Sequence, residues 1–486
     1  MDTLHLRSFD WMLVTLKDYE FFSRGVTQIS AGYQQSACAQ SVYYAPGTTT
    51  DAERIRSILK PLNMDFPTAE QVQPYASQIA SGMGSLGLYR FESDGEIWHI
   101  RNQSMTDWSS PFERSQWLLL ALTGKGWVVI HKVGSVKNAL AVFPFLNGDH
   151  TSRQIVENLS GNEEGIALLQ TLITRNLVEK REQHRLELHE IPEFLFLGHS
   201  GLLVRSGEDI LAIDPVVTPS TRALADESLP IDAVLNHASA ILISHCHWDH
   251  FDYPNLARLR RDMRMIVPRV KHPSFANPPM GPYLRELGFT RVEEKEPWEV
   301  VTLGSITLTL AAFYGEPFGL NSQFDGFTYY VKFGEHTLYG SVDACYNEDG
   351  DMENVIEKVA GLGPIDFFLF CSSGQKHEPA FYAANLRHFS NELIHRPELV
   401  RYHPTHLDAT RWARRLKPRA LIPYAEFLFQ GERSPHIPMS AVLDQKNIGL
   451  DGIPATHLSW EKGLHTMARG LDLPIQLLHP MQGLVA

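Results

Sequence analysis

A set of metal-ligand residue types directly after an apolar strand limits the folds open to this chain. The strand is Ala240–Ser244 (AILIS), and the motif H-x-H-x-D-H follows at once. Residues two apart in an extended segment point the same way, so His245 and His247 share one face. Asp249 and His250 come just past the turn, where they can face a second metal ion. A solvated polar loop is the alternative, but the motif and its strand together favour a dinuclear metal site.

Strand-like and helix-like runs alternate after residue 190. The segment Phe194–Val217 predicts two strands joined by a turn at Gly207–Asp209. Further strand-like runs are Ala240–Ser244, Met265–Pro268, Val300–Ala312, Phe327–Phe333, Thr337–Gly340, Asp366–Phe370 and Ala420–Tyr424. Helical patterns lie between them at Pro254–Met263, Glu353–Ala360 and Leu407–Leu416. This order predicts an α/β domain, here a sandwich of two mixed sheets covered by helices.

The first 190 residues have a different pattern. A charged stretch, Lys180–Glu190, predicts a boundary between an N-terminal α+β domain over residues 1–190 and a metal-binding domain over residues 191–486. Two helical stretches, Thr151–Leu159 and Gly165–Arg175, resemble small winged-helix modules that act in peptide recognition. Gly82–Gly87 matches G-x-G-x-x-G, but a helix-like stretch precedes it and a strand-like one follows. A dinucleotide site needs the reverse order, so we predict a flexible turn there.

Composition narrows the class of protein. The chain has 43 basic and 56 acidic residues and a net charge of -13, which argues against a nucleic-acid partner. Its four cysteines form no C-x-x-C pair, which is typical of a reducing compartment, and we expect at least three of them to be small buried residues. The start of the chain does not have the form of a signal peptide, and no apolar run approaches the roughly 20 residues that span a bilayer. We therefore expect a cytoplasmic protein with no membrane partner.

The H-x-H-x-D-H motif after a strand resembles the metallo-β-lactamase superfamily, over roughly residues 191–430. The hairpin ending in Asp214-Pro215 and the segment Asn321–Tyr346 resemble the same family. On this match Asp343 is implied to be the carboxylate that bridges both metal ions, and a turn aspartate is the alternative. Asp214 is a candidate acceptor for a metal-bound imidazole, or a structural turn residue before the proline.

Two positions depart from the hydrolytic members of that family. Those members have a histidine where this chain has Glu316, and another in a P-x-H phrase that here ends in Ala425. Alanine cannot bind a metal ion, so the site is either inactive or rebuilt. In a rebuilt site Glu316 replaces one imidazole, and His406 supplies the missing ligand. His403 is the alternative to His406.

The implied ligand set is His245, His247 and Glu316 on one ion, Asp249, His250 and His406 on the other, with Asp343 between them. Four imidazoles and three carboxylates make a more anionic site than five imidazoles and two carboxylates. Added carboxylate oxygens suit iron or manganese better than zinc. Mixed histidine and carboxylate sites with open positions are typical of non-haem iron that activates dioxygen.

This exchange resembles the diiron monooxygenases that β-hydroxylate an amino acid held on a peptidyl carrier protein of a nonribosomal peptide synthetase, as in chloramphenicol biosynthesis. The resemblance implies two iron ions, dioxygen as cosubstrate, an external reductase as electron donor and a homodimer formed through the N-terminal domain. Glu316 and Asp343 are then the catalytic carboxylates, and zinc or manganese is the alternative metal. The rival functions are a dinuclear zinc hydrolase of the same superfamily and a binding protein that has lost turnover.

Other residues near the motifs have candidate roles in binding. Trp248 and Tyr253 are candidates for the wall of the metal pocket, and packing is the alternative role. Because carrier proteins are usually acidic, two basic stretches are candidate docking sites or ordinary solvated helix faces. They consist of Arg258, Arg260, Arg261 and Arg264, and of Arg411, Arg414, Arg415 and Lys417.

Overall fold

The architecture comes from a computed structural model of the chain. It describes residues 2–6, 11–15, 89–94, 97–102, 117–123, 126–147, 149–182, 188–198, 200–215, 231–247, 250–251, 253–271, 279–315, 325–347, 350–371, 404, 406–424 and 471. The glycine-rich segment at 82–87 lies outside these residues, as does Cys38.

Up to residue 182 the described strands form three small antiparallel sheets. The strands are β1 (Asp2–Leu6), β2 (Trp11–Thr15), β3 (Tyr89–Asp94), β4 (Ile97–Asn102), β5 (Trp117–Thr123), β6 (Gly126–Val133) and β7 (Val178–Glu182). β1 pairs with β7, β3 pairs with β4, and β5 lies between β2 and β6. The first and last of these strands are therefore joined, which closes this part of the chain on itself.

Three helices lie between β6 and β7: α1 (Val136–Leu140), α2 (Ser152–Asn158) and α3 (Glu163–Thr174). The two helices predicted from the sequence are confirmed as α2 and α3, while α1 was not predicted. Thr151 begins α2 with a capping box, because its hydroxyl accepts from the Gln154 amide and the Gln154 side chain accepts from the Thr151 amide. α3 buries Leu168, Leu169 and Leu172 along one face.

The first large sheet follows residue 190 and has six strands. These are β8 (Phe194–Gly198), β9 (Gly201–Ser206), β10 (Asp209–Ile213), β11 (Ala240–Leu242), β12 (Arg264–Pro268) and β13 (Arg291–Lys295), in spatial order of their numbers. β8, β9 and β10 are antiparallel, and β10 to β13 are parallel. The parallel strands are connected through the helices α4 (Ile231–Asn236), α5 (Tyr253–Leu256) and α6 (Met280–Glu286).

The second large sheet also has six strands. These are β14 (Val300–Leu303), β15 (Ile306–Ala312), β16 (Phe327–Phe333), β17 (His336–Gly340), β20 (Phe367–Phe370) and β21 (Ala420–Pro423), while β18 (Tyr346–Asn347) and β19 (Gly350–Asp351) form a separate short hairpin. β14 to β17 are antiparallel, and β17, β20 and β21 are parallel. The helices α7 (Met352–Ala360) and α8 (His406–Leu416) lie between the parallel strands.

Apolar burial joins the two sheets into one core. All three residues of β11 and five successive residues of β16 are buried, as expected for strands covered on both faces. Outside the sheets, α6 packs on β12 and β13, α7 on β15, and α8 on β20. This is the predicted sandwich of two mixed sheets with helices on the outside.

Some element boundaries differ from the prediction. The run from Phe194 contains three strands rather than two, because the chain turns back between Gly198 and Gly201, which pair with each other. The run from Val300 contains two strands, because Gly304 adopts φ +53° at a tight turn. The predicted helix Pro254–Met263 is only the one turn of α5. The charged strand β13 was missed, because its sequence RVEEK lacks an apolar pattern.

The strand directions bring one edge of the sandwich together. β10 and β11 are parallel, so Asp214 and Ser244 follow their strands at the same edge. β17, β20 and β21 are parallel, so Asp343, Cys371 and Tyr424 also follow strands that end at one edge. The Phe327 amide, at the start of β16, donates to the Ser244 carbonyl and joins the two sheets there. Polar residues at such an edge are where a binding site is expected in an α/β fold.

Candidate metal centre

Three of the predicted ligands converge at this edge. His245, His250 and Asp343 each offer a donor atom, and these atoms all lie within 4.8 Å of one another. His250 Nε2 is 2.9 Å and His245 Nε2 is 3.9 Å from Asp343 Oδ2. All three side chains are buried. A group of two imidazoles and a carboxylate enclosed in this way has the composition of a metal site.

The other nitrogen of each imidazole is fixed by hydrogen bonds. His250 Nδ1 is 2.9 Å from Asp214 Oδ2, and His245 Nδ1 is 2.9 Å from the Ser244 hydroxyl. That hydroxyl donates its single proton to Asp214 Oδ2 over 2.6 Å, so it accepts from His245. Both Nδ1 atoms are therefore donors, and each Nε2 directs a lone pair toward the centre. This is the arrangement that orients metal-bound histidines.

Asp214 holds this network at the cost of backbone strain. It adopts φ +43°, which non-glycine residues rarely do, and Val342 directly before Asp343 adopts φ +51°. Asp214 is fully buried and accepts a further 2.6 Å hydrogen bond from the Ser244 amide. Strained residues persist where the surroundings determine them, and they cluster at functional sites. The polar network favours the acceptor role for Asp214 over that of a simple turn residue.

The donor set fits a metal ion. Two ligands each about 2.1 Å from one ion lie roughly 3–4 Å apart, which covers both distances to Asp343 Oδ2. Asp343 Oδ1 is buried and has no hydrogen-bond partner among the residues that the structure describes. A buried carboxylate oxygen without a partner is costly unless something positive binds it. The residues present therefore fit a cation beside Asp343.

His247 extends the cluster on one side. Its ring lies edge-on to His245, with centroids 4.7 Å apart, and it is partly exposed. His245 in turn packs against Phe313, with ring centroids 5.2 Å apart. Gly326 allows this packing, because a Cβ there would lie 2.9 Å from Phe313 Cγ and 3.3 Å from His245 Cβ. The described histidines of the motif thus lie together, with an apolar wall behind one of them.

The cysteine inside the motif is part of the protein interior. Cys246 is buried, as are Cys345 and Cys371, so the expectation of small buried cysteines is confirmed for these three. Tyr283 in α6 is buried, and that burial raises its pKa, with further contributions from Glu286 and Cys246. Cys246 therefore lies within electrostatic reach of Tyr283.

The backbone places Tyr314 and Gly315, the two residues before Glu316, against Cys345, two residues after Asp343. The Cys345 amide donates a 2.6 Å hydrogen bond to the Tyr314 carbonyl. The next residue, Gly315, has φ +125°, and a Cβ there would lie 2.5 Å from the Cys345 nitrogen. Glu316 itself lies outside the described residues, but it directly follows this close contact.

Several other predicted residues have no described side chain. Asp249, Trp248 and His403 lie outside the described part of the chain, as does Ala425. The backbone of His406 begins α8, and that of Tyr253 begins α5, but their side chains are not described. Their roles as ligands or pocket residues stay predictions.

Sequence reasoning missed Ser244. A serine at the end of a strand has no distinctive pattern, and its role is apparent only when Asp214, from a parallel strand, lies beside it. Its position directly before the first histidine was the available signal.

Comparisons with known proteins agree with this geometry. Residues 210–424 match the family model described as a beta-lactamase superfamily domain. The 3-hydroxylase of 4-amino-L-phenylalanyl-CmlP peptidyl carrier protein from Streptomyces venezuelae is 29% identical over 173 residues. That alignment covers 35% of this chain and only 32% of the hydroxylase.

Solved structures give the same fold over the whole chain. CmlA, a diiron beta-hydroxylase from Streptomyces venezuelae, has a TM-score of 0.57 and 17% sequence identity, and each chain is covered to 100%. A single-substitution variant of CmlA matches with the same TM-score and 16% identity, over 98% of this chain and 99% of the variant. Among the described residues no helix has the length and apolar character needed to cross a membrane. Residues 210–424 thus have the metallo-β-lactamase fold, and the whole chain is similar in fold to CmlA.

Proposed function

We propose that this chain is a dioxygen-dependent diiron monooxygenase that hydroxylates the β carbon of an aminoacyl group tethered to a peptidyl carrier protein of a nonribosomal peptide synthetase. The observation that carries the proposal is the similarity to a carrier-protein 3-hydroxylase, in a chain that also has the buried cluster of His245, His250 and Asp343. The predicted ligand Glu316 favours an oxygenase over a hydrolase. Its carboxylate makes the proposed donor set more anionic than a zinc hydrolase requires.

The proposed site has the seven ligands that the sequence implies. Three of them lie together, and Asp343 Oδ2 approaches both His245 and His250, which supports a bridging position for this carboxylate. The backbone hydrogen bond between Tyr314 and Cys345 supports a position for Glu316 close to Asp343. Asp249, His247 and His406 complete the proposed set, with His403 as the alternative to His406.

The residues of the chain prepare this centre in two ways, by orienting the histidines and by burying the donor atoms. Two irons held there would supply the reduction of dioxygen that hydroxylation of an unactivated C–H bond needs. Ser244 and Asp214 hold the Nδ1 protons of both histidines, so that each Nε2 remains a lone-pair donor. Burial of His245, His250 and Asp343 limits water at their donor atoms. The fixed polar groups of such an enclosed site need little reorganisation during the reaction.

The carrier protein is a proposed partner, but the contacts of the two basic stretches favour ordinary solvated faces over docking sites. Arg264 pairs with Glu293, and Arg260 pairs with Asp262. Arg261 is directed into the protein, where it donates to the Leu140 carbonyl. In the second stretch Arg411 pairs with Glu353 and Asp408, and Arg415 with Glu357. All four cations of the second stretch are exposed, but among the described residues only Arg414 and Lys417 make no ion pair. The ion pairs therefore reduce the net positive charge that each stretch offers.

Other parts of the proposal rest on the family resemblance. These are the external reductase, the homodimer formed through residues 1–190, and a role in antibiotic biosynthesis.

Oxygen incorporation tests the proposal. Iron-reconstituted, chemically reduced protein is incubated under isotopically labelled dioxygen with a panel of aminoacyl carrier proteins, and the carrier is analysed by mass spectrometry. We expect the gain of one labelled oxygen atom on at least one aminoacyl group. The Asp343→Asn variant should lose this gain. Asp366→Asn is the matched control, because Asp366 binds Thr337 and Arg419 in the same sheet, away from the cluster.

The zinc-loaded protein tests the rival function, a hydrolase. If the zinc-loaded protein hydrolyses the thioester while the iron form inserts no oxygen, the chain is a hydrolase and the proposal fails. If neither form acts on any member of the panel and the protein binds no metal, it is a binding protein.

A further inference from the structure

Two fully buried tyrosines share a hydrogen bond in the second sheet. Tyr329 lies within β16, and Tyr424 directly follows β21. Their phenol oxygens are 3.1 Å apart, although β17 and β20 lie between their strands. Neighbouring strands are about 4.8 Å apart, so the two rings must reach toward each other over the strands between them.

Gly340 makes room for this pair. It is the cross-strand partner of Tyr329, and a Cβ on it would lie 2.3 Å from Tyr329 Cζ. Gly340 also ends β17, three residues before Asp343. The Tyr424 amide donates to the Phe370 carbonyl at the end of β20. Since β17, β20 and β21 are parallel, the pair lies at the edge of the sheet that carries Asp343.

One O–H group of the pair is left over after the hydrogen bond between the two phenols. Each phenol has one O–H group, and a single hydrogen bond joins the two oxygens. Whichever phenol donates, one O–H remains, and within the described part of the chain no other acceptor lies within hydrogen-bond distance of Tyr424. A buried hydroxyl in this situation costs free energy unless its dipole meets negative charge.

The negative charge comes from the metal centre. Burial raises the pKa of both phenols well above the ordinary value, and the charges of Asp214 and Asp343 raise each of them further. Both phenols therefore stay neutral, with Asp214 and Asp343 within electrostatic reach. Tyr339 in β17 is equally buried, but its phenol donates to Thr328, and neither carboxylate contributes to its raised pKa.

We propose that Tyr329 and Tyr424 form a positioning pair, whose remaining O–H dipole stabilises the buried negative charge of Asp214 and Asp343 and so tunes the metal centre. The inference rests on the proposed function in one respect, that Asp343 binds iron. A hydroxyl dipole directed at a ligand carboxylate lessens the negative charge that the carboxylate offers to a cation. That loss weakens binding of a trivalent ion more than binding of a divalent ion, because the ion–ligand attraction scales with the charge of the ion.

The reduction potential of the bound iron tests this inference. Tyr424→Phe removes the remaining O–H, and Tyr329→Phe removes the hydrogen bond that positions it. Each variant should therefore lower the midpoint potential, since loss of the oriented dipole favours the ferric form. We expect a change of up to about tenfold in the ratio of ferric to ferrous affinity, equivalent to about 59 mV for a one-electron couple. The Tyr329→Phe/Tyr424→Phe double variant removes the pair without leaving a single buried phenol, so it serves if a single variant does not fold. Tyr339→Phe is the control and should leave the potential unchanged.

Three outcomes would overturn the inference: unchanged potentials in all the pair variants, a rise in potential, or an equal change in Tyr339→Phe. The proposed function is tested separately by the same samples. If the unsubstituted protein binds no iron, both the function and the inference fail. If it binds iron with the same potential as the variants, only the inference fails.

Discussion

At the scale of single residues, the proton of Ser244 determines how His245 faces the metal centre. The hydroxyl donates to Asp214 and must accept from His245 Nδ1, which leaves His245 Nε2 as the metal ligand. Asp214 makes the matching bond to His250 Nδ1 itself. One buried carboxylate thereby sets the tautomer of two imidazoles, one of them through a serine.

Asp214→Asn tests that network. The amide keeps the shape but loses the charge, and its NH₂ group cannot accept from Ser244 or His250. We expect a 10–100-fold loss of metal affinity, the usual effect of removing the acceptor behind a metal-bound histidine. The measurement is competitive titration with a chelator and cobalt. Asp209→Asn is the control, because Asp209 accepts from Ser305 at a distant turn. Equal affinity in the Asp214 variant and the unsubstituted protein would refute the network.

Glu316→His tests the predicted ligand that distinguishes this chain from hydrolases. Restoring an imidazole removes one anionic oxygen ligand, so zinc should gain on iron. We expect a lower iron-to-zinc ratio by elemental analysis and loss of hydroxylation. Unaltered oxygenase activity in this variant would contradict the assignment of Glu316.

At the scale of elements, two strand ends are held together by backbone contacts. β15 ends before Tyr314, whose carbonyl accepts from the Cys345 amide in the loop after β17. Gly315 can approach that amide only because it has no side chain and adopts φ +125°. We call the contact of Tyr314 and Gly315 with Cys345 the strand-end clasp. It connects the segments of Glu316 and Asp343.

Gly315→Ala should open the strand-end clasp. The new Cβ would meet the Cys345 nitrogen at 2.5 Å in a backbone conformation that L-residues rarely adopt. We expect a loss of about 2 kcal/mol in the free energy of unfolding, together with weaker metal binding. Gly207→Ala is the control: Gly207 has φ +61° with nothing within 4 Å of its Cβ, so only stability should fall, by about 1 kcal/mol. Urea unfolding and cobalt titration measure the two effects. Full metal affinity in Gly315→Ala would show that the clasp does not position a ligand.

The predictability of these elements depended on their pattern. Strands with long apolar runs, such as Phe327–Phe333, were located to the residue. β13 was not, since its charged side chains are stabilised by ion pairs across to Arg264 and along to Glu299, which no local pattern shows.

The site residues that are close together in the sequence were predictable from their spacing, and those from distant strands were not. The motif histidines are local in sequence, and Asp343 came from the family resemblance. The roles of Ser244, Tyr329 and Tyr424 depend on strands far apart in the chain, so no spacing indicated them.

At the scale of the whole molecule, one arginine connects the two predicted domains. The Arg261 guanidinium donates to the Leu140 carbonyl, 121 residues away, and to the Leu259 carbonyl. It lies over the Phe289 ring, 5.2 Å from the centroid. Burial lowers the pKa of Arg261 to about 10, so it remains charged at neutral pH. Leu140 ends α1, and Arg261 follows the metal motif.

Arg261→Met tests whether that contact couples the domains. Methionine keeps the apolar stem but leaves the Leu140 and Leu259 carbonyls without the guanidinium donor. We expect a loss of about 2 kcal/mol in the free energy of unfolding, the cost of buried acceptors left unsatisfied. Arg153→Met is the control, since the pair of Arg153 with Glu157 is largely exposed and contributes about 0.5 kcal/mol or less. Urea unfolding monitored by circular dichroism measures the free energy of unfolding of both variants. Equal losses would show that Arg261 has no special role.

We propose that the sandwich of two sheets holds two iron ions, and metal analysis with a Mössbauer spectrum is the direct test. The protein is produced with both iron and zinc available and purified without chelators. We expect two irons per chain and a spectrum of coupled, oxygen- and nitrogen-ligated iron. Near-stoichiometric zinc with no iron would contradict it.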